Sequence, residues 1–338
     1  MPTIAVDAMG GDHAPDEIVK GVAQVSVESD IQCILVGDEK RVQQVLENTS
    51  YRPEQLSIVH AGSNVAMDED PREAIRSKRD CSLLVGARLV AEGKADALVS
   101  AGNTGACVLA CARTFRMIKG IKKTGLASVF PRKVEYSGQD PLGLLLDVGA
   151  TIRCDSQELV HFAIMGSAYA KRISKVSNPR VALLNMGTEP KKGGDELCEA
   201  YRQLEKTSGV NFVGNIEGSD VAKGKADVIV CEGLLGNVVL KMLEGISEVV
   251  MDIASYAYNE SWRWRLGLAM LGTGIRQLRD LTDYSNYGGS PILGFENIFI
   301  KSHGRSSARA VSNAVKVAAK AVRDGVPREI AEMVAVMR

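Results

Sequence analysis

The sequence predicts an α/β fold built on a largely parallel sheet. Strand candidates alternate with helix candidates in a βαβ rhythm. In addition, five apolar runs pass straight into loops of Gly, Asn, Asp and Thr: IAVDAMGGDH from Ile4, ALVSAGNTGA from Ala97, LLLDVGA from Leu144, VALLNMGTEPKKGG from Val181 and DVIVCEGLLGN from Asp227. Strands apolar throughout their length belong to a sheet covered on both faces, and their carboxyl-end loops are expected to converge on one crevice. Those loops are rich in amides and small polar groups and poor in His and Cys, a composition that suits an anion better than a metal.

The elements follow in order. Strands are expected at Thr3–Asp7, Ile31–Gly37 and Leu56–His60, with helices at Asp16–Ser29 and Asp38–Glu47. Pro71, after Asp70, is a good first-turn residue for one long helix reaching Glu92, weakened by Gly86. Next come strand Ala97–Ser100, a helix from Thr104, strands Ala127–Phe130 and Leu142–Asp147, and a helix over Ser156–Lys175. Strand Arg180–Asn185, helix Asp195–Thr207 and strands Val210–Val213 and Asp227–Cys231 continue the pattern. From Asn237 the rhythm changes to two successive helices, broken near Asn259, which reads as a projecting helical pair over 237–281 inserted in a single catalytic domain, 1–338. The chain returns through YSNYGGSPILG to strand Ile298–Ser302 and closes with helices Arg305–Arg323 and Pro327–Val336.

Composition sets limits. With 338 residues, 45% of them hydrophobic, the chain can bury a sizeable core. Lys plus Arg and Asp plus Glu are equal at 41 each, so the net charge advertises neither nucleic acid nor an anionic membrane. The first residues lack the charged and apolar regions of a secretion signal, and no apolar run reaches the roughly 18 residues of a membrane span. The expected location is the cytoplasm. Cys33, Cys81, Cys107, Cys111, Cys154, Cys198 and Cys231 include no CxxC pair and read as reduced core thiols. Cys107 and Cys111 could share a metal on one helix face, but none of the four His is near them in sequence.

Several loops have the composition of an anion grip. In SAGNTGA, Gly102 and Gly105 let the backbone approach a ligand, and Ser100, Asn103 and Thr104 lie where a helix start offers free N–H groups. A bare strand-to-helix turn has the same composition. The stretch is neither a P-loop nor GxGxxG. NMGTEPKKGG adds Lys191 and Lys192 ahead of another helix, where a lysine can neutralise a phosphate or a developing oxyanion, although paired loop lysines also occur as solvated surface. CEGLLGN brings Glu232, Gly233 and Asn237 to a strand end. AMGGDHAP groups Asp7, Gly10, Gly11, Asp12 and His13, either as an acid–base site or as a hydrogen-bonded turn. His303 in KSHGRSS has the same two readings, and Ser306 and Ser307 beside it could cap the last long helix.

Two basic clusters stand against the neutral total: Arg113, Arg116, Lys119, Lys122 and Lys123, and the helix face with Arg72, Arg76 and Arg79. Either could dock an acidic partner or be a solvated helix end. Trp262 and Trp264 sit among four Arg and no acid between Ser261 and Arg279, followed by Leu266, Leu268, Met270 and Leu271. That pattern fits an interfacial membrane contact and equally a buried dimer helix.

Taken in order, VDAMGGDHAP, SAGNTGA, LLDVGA, LLNMGTEPKKG, FVGNIEG, GNVVLKMLEG, YSNYGG and KSHGRSS resemble the phosphate acyltransferases of bacterial glycerolipid synthesis, over nearly the whole chain. The resemblance implies a three-layer α/β/α fold like that of isocitrate and isopropylmalate dehydrogenases and phosphotransacetylase. It implies transfer of an acyl group from acyl carrier protein to inorganic phosphate, without cofactor or metal. It further implies a homodimer at the membrane periphery, near the glycerol-3-phosphate acyltransferase that uses acyl phosphate. Glu232 and Leu234 depart from a DGFxGN-like motif, and Asn297 stands where Gly is common. On this basis Lys192 and Asn237 are expected to face the reacting carbonyl and phosphate. The remaining substrate-binding candidates are Asp7 to His13, Ser100 to Gly105, Asp147, Gly149, Asn185, Gly187, Thr188, Glu189, Lys191, Glu232, Gly233 and His303. A covalent route through Cys231 is disfavoured because Glu232 beside it would raise the thiol pKa. A dehydrogenase of the related fold would need a metal-binding carboxylate cluster and a nicotinamide site, and the sequence offers neither.

Overall fold

The computed structural model describes residues 1–134, 139–260, 263, 265 and 288–336. The elements are β1 (Thr3–Asp7), α1 (Asp16–Glu28), β2 (Gln32–Gly37), α2 (Glu39–Leu46), β3 (Leu56–His60), α3 (Pro71–Ser77), α4 (Ser82–Ala91), β4 (Ala97–Ser100) and α5 (Thr104–Thr114). There follow β5 (Gly125–Pro131), β6 (Leu142–Leu146), α6 (Ser156–Arg172), β7 (Arg180–Leu184), α7 (Asp195–Leu204), β8 (Asn211–Ile216) and β9 (Val228–Val230). The last are α8 (Gly233–Glu260), β10 (Ser290–Leu293), β11 (Ile298–Lys301), α9 (Ala308–Asp324) and α10 (Val326–Val336).

All the strands join one 11-stranded sheet in the order β3-β2-β1-β4-β11-β10-β5-β6-β9-β7-β8. Within β1, Ile4 and Val6 pack with α1, α2 and α9 on one face. Ala5 packs on the other face with residues of α3, α4 and α5. In the second half of the sheet, Leu144 and Leu146 pack against α6 and α10, and the intervening Leu145 turns to the opposite core. Helices thus cover both faces of a mostly parallel sheet, the α/β/α layering that the apolar strands require.

The expected convergence holds for four of the five strand ends, those of β1, β4, β6 and β9, and fails for β7. β10 runs antiparallel to both β11 and β5, and β5 runs antiparallel to β6. Two parallel halves therefore meet at β10 and β5, with β1, β4 and β11 on one side and β6, β9 and β7 on the other. β10 escapes a local reading because it is short, follows Gly288 and Gly289 at φ 76° and 87°, and contains Pro291.

The single helix expected from Pro71 to Glu92 is two. Cys81 pairs with Ser63 in an isolated bridge, and the Ser82 amide donates to the Ser63 carbonyl, so the chain stays extended there. Gly86 is not the break. It lies inside α4, where a Cβ would meet Leu98 Cδ1 at 2.7 Å. The helix expected from Asn237 begins at Gly233 and runs to Glu260. Trp262, Trp264, Leu266, Leu268, Met270 and Leu271 lie outside the described residues.

Candidate functional site

A cavity of about 570 Å³ opens beside the antiparallel strands β5 and β10. Of the residues picked out in sequence, Asp12, Thr104, Gly149, Asn237 and His303 line it. They come from the loops after β1, β6 and β11 and from the starts of α5 and α8, which follow β4 and β9, so both directional halves of the sheet contribute. Met67, Leu126, Val129, Val148 and Leu240 form an apolar wall. This mixture of apolar wall and few converging polar groups is what a small-molecule site needs.

The loop after β1 is held by Asp7, which is 2% exposed. Its carboxylate accepts from Ser100 Oγ at 2.7 Å and from the Met9 amide at 3.2 Å. Burial pushes this carboxyl up, against hydrogen bonds from Ser82 and Ser100. Gly10 must lack a side chain, because a Cβ would stand 2.4 Å from Asp7 Oδ2 and 2.9 Å from the Gly102 nitrogen. Ser100 also accepts from the Gly102 amide, so the loops after β1 and β4 are pressed together at their base. Asp7, Gly10 and Ser100 shape the floor without lining the cavity.

Asn103 caps α5 by accepting from the Ala106 amide at 3.1 Å, and its Nδ2 donates to the Met67 carbonyl at 3.0 Å. Its side chain thereby pins the Met67 segment over the helix start, and Thr104, the next residue, faces the cavity. Gly11 and His13 border the same turn as Asp12, with His13 exposed. The Asp12 amide donates to the Gly304 carbonyl at 2.8 Å, joining this turn to the one after β11. There His303 Nδ1 accepts from the Arg305 amide at 3.2 Å, and burial draws the imidazole pKa down. Ser307 caps α9 by accepting from Ala310, as one of the two readings held.

Across the cavity, Asp147 is fully buried. One carboxylate oxygen accepts from the amides of Leu126, Gly149 and Ala150, the other from Thr151. Asp147 thus organises the turn instead of facing a ligand. α8 starts against this turn: the Gly233 amide donates to Thr151 Oγ1 at 3.0 Å. Asn237, exposed in the first turns of α8, then lies beside Gly149. Glu232 is half-buried next to Cys231. Cys231 is 1% exposed, its Sγ donates to the Asp147 carbonyl, and burial raises the thiol well above its ordinary range.

The loop after β7 does not line the cavity. Asn185 holds it by donating to the Lys192 carbonyl at 2.9 Å and accepting from the Met186 amide. Thr188, Glu189, Lys191 and Lys192 are exposed, and Gly187 lies against the Lys192 side chain. Asn215, which sequence reasoning passed over inside FVGNIEG, donates to the Glu189 carbonyl at 2.9 Å and braces the loop from β8.

Other cavity residues that sequence reasoning missed are Lys301, Ser302, Lys241 and Glu244. Lys301 and Ser302 sit in the quoted KSHGRSS stretch, and their adjacency to His303 was the available signal. The basic clusters, separate in sequence, touch through Arg113. Arg113 on α5 donates to the Ile75 carbonyl on α3, beside exposed Arg72 and Arg76, with Arg79 exposed just beyond. Arg116, Lys119 and Lys122 are exposed, whereas Lys123 pairs with Glu158 at 2.9 Å.

Residues 2–329 match the family model described as "Fatty acid synthesis protein". The chain is 40% identical over 330 residues to the phosphate acyltransferase of Dictyoglomus turgidum, covering 97% of this chain and 96% of that one. It is 43% identical over 331 residues to the phosphate acyltransferase of Desulfitobacterium hafniense strain Y51, covering 98% and 96%. Among solved structures, a phosphotransacetylase from Streptococcus pyogenes superposes with a TM-score of 0.65 at 18% identity, covering 95% of this chain and 94% of that one. A 4-hydroxythreonine-4-phosphate dehydrogenase from Klebsiella pneumoniae does so with a TM-score of 0.55 at 13% identity, covering 95% and 100%. The structural likenesses establish the shared α/β/α fold. The sequence relatives establish that this chain belongs to the phosphate acyltransferase family, enzymes of acyl transfer.

Proposed function

We propose that the chain transfers a fatty acyl group from acyl carrier protein to inorganic phosphate, giving acyl phosphate for phospholipid synthesis. The observation that carries this reading is the cavity itself. Apolar Met67, Leu126, Val129, Val148 and Leu240 share this space with Asn237, Thr104, His303 and Lys301, so apolar and charged reactants can meet there.

The chemistry needs little more than grip and charge. Much of the phosphate is dianionic near neutrality, its second pKa being roughly 6 to 7 by analogy with phosphate esters. An unprotonated phosphate oxygen attacks the thioester carbonyl and forms the C–O bond of the acyl phosphate. The C–S bond then breaks, and the thiolate leaves; a thiol pKa of about 8.5 makes it a tolerable leaving group. No strong base is required. Asn237 would donate to the tetrahedral oxyanion, and Lys192 would bring positive charge to it from the neighbouring loop, a movement that exposed side chain can make.

Exposed Arg72, Arg76, Arg79 and Arg113 form one basic surface, and Arg116, Lys119 and Lys122 are a further exposed basic group; either suits an acidic carrier protein. Along α8, Leu235, Val238, Met242, Ile246, Val249, Ile253 and Tyr256 are exposed at helical spacing. That apolar stripe supports a homodimer of cytoplasmic subunits held at the membrane periphery, near the acyltransferase that consumes acyl phosphate. Among the described residues no helix is long and apolar enough to cross a membrane. We take 1–338 as one catalytic unit in which 237–281 makes these contacts.

The test is thiol release from acyl carrier protein thioester with and without inorganic phosphate, run beside the matching acyl-coenzyme A. Phosphate-dependent release from the carrier thioester supports the reading. Release from acyl-coenzyme A alone replaces the donor. Lipid or partner binding without any release would make the chain a scaffold.

A further inference from the structure

Lys301 ends β11 with its side chain buried, 7% exposed, yet it forms part of the cavity wall. Its Nζ donates to the Ala101 carbonyl at 3.3 Å and to its neighbour's carbonyl at Ser302. An ammonium has three protons, so these two contacts leave one for another acceptor. Among the described residues no carboxylate forms an ion pair with it. Burial draws its pKa down, although Asp7 and Asp12 lie near enough to oppose that fall. Asp7 is already engaged by Ser100 and Met9.

A buried ammonium held by two carbonyls and by no direct carboxylate contact is costly, because its lost hydration is replaced only in part, with Asp7 and Asp12 offsetting it by charge alone. Lys301 stands where a ligand could replace it. Thr104, at the amino end of α5, lines the same cavity, so the helix end and the lysine present positive potential to one space. The two carbonyl contacts also tie the turn after β4 to the turn after β11.

We infer that Lys301 is a phosphate-binding residue of the acyl-transfer site, its third N–H and its charge meeting the anion that attacks the thioester. The inference rests on phosphate as the acceptor in this family and not on the identity of the acyl donor. Lys241 and Arg305 reach the cavity from its rim, where water screens them, whereas Lys301 acts from within.

The test uses the full chain and inorganic phosphate alone, with binding measured by calorimetry for the wild type and for Lys301→Met. Loss of one charge-assisted hydrogen bond predicts affinity about ten- to a hundredfold weaker in the folded variant. Steady-state kinetics should show the same rise in the KM for phosphate, with the KM for thioester nearly constant. Phosphate affinity equal to that of the wild type would overturn the inference and leave Lys301 as a tie between two turns. Should the variant not fold, a wild-type crystal grown with phosphate decides. An anion oxygen within hydrogen-bond distance of Lys301 Nζ supports the assignment, and an anion elsewhere, or none, rejects it. Thiol release from carrier-protein thioester is a separate readout, and its failure would remove the donor without touching this result.

Discussion

Gly236 sits so tightly on Asp147 that a Cβ built on it would stand 1.8 Å from the Asp147 carbonyl oxygen. That contact seats the first turn of α8 on the turn after β6 and sets Asn237 beside Gly149. Gly236→Ala must push the helix away. Overpacking of this kind costs about 1–3 kcal/mol of stability, while a displacement of about 1 Å at the site can cost about a hundredfold in rate. We expect activity to fall much further than the urea midpoint, and parallel losses in both would contradict the seating role.

Lys192 and Asn237 serve the transition state in the proposed mechanism. Asn237→Ala removes an oxyanion donor, for which a fall in kcat of about a hundred- to a thousandfold is expected. Lys192→Ala should act in the same direction, with little change in unfolding midpoint because the side chain is exposed. Near-normal acyl phosphate formation by both variants would remove the assignment.

Cys231 is expected to be dispensable for chemistry. Its buried, protonated thiol is a poor nucleophile. Cys231→Ala should keep most of the activity, and mass spectrometry of wild-type enzyme during turnover should find no acyl group on this residue. A trapped thioester at Cys231 would reverse the conclusion.

Asp227 should govern acid stability. It accepts from Arg132 at 2.5 Å, and Arg132 is only 1% exposed at its side chain. Burial alone would raise the Asp227 carboxyl, but hydrogen bonds from Arg180 and Arg132 outweigh it and hold the pKa below its ordinary 3.8. A depressed carboxyl stabilises the fold fully above its unfolded value, and that contribution fades as pH falls through the folded one. Asp227→Asn leaves Arg132 buried without its counter-charge, a loss of about 3–5 kcal/mol at neutral pH. Urea unfolding should show the gap between variant and wild type narrowing below the ordinary 3.8 of this group. A gap that stays constant would mean that the ion pair is not its source.

The stripe on α8 gives a test of peripheral attachment. Ile253, 63% exposed, contributes apolar surface far along the helix from Asn237. Ile253→Glu should reduce co-sedimentation with anionic phospholipid vesicles while acyl phosphate formation in solution persists. Unchanged sedimentation would direct the stripe to another use.

The strands Thr3–Asp7, Leu56–His60 and Ala97–Ser100 were legible to the residue, and the capped starts of α3 and α5 nearly so, because apolar runs and local side-chain caps are written in neighbouring residues. The same holds for family membership, which rests on ordered short motifs. Only the tertiary structure decided which loops share a cavity. Long-range pairing through β10 and β5 brings the segments after β1, β4, β6, β9 and β11 to one cavity, which takes in Lys301 and leaves out the β7 loop with Lys192. Asp7 and Asp147 likewise proved to be internal braces, since hydrogen bonds from Ser100, 93 residues away, and from Leu126, 21 residues away, follow from strand adjacency that no local pattern encodes.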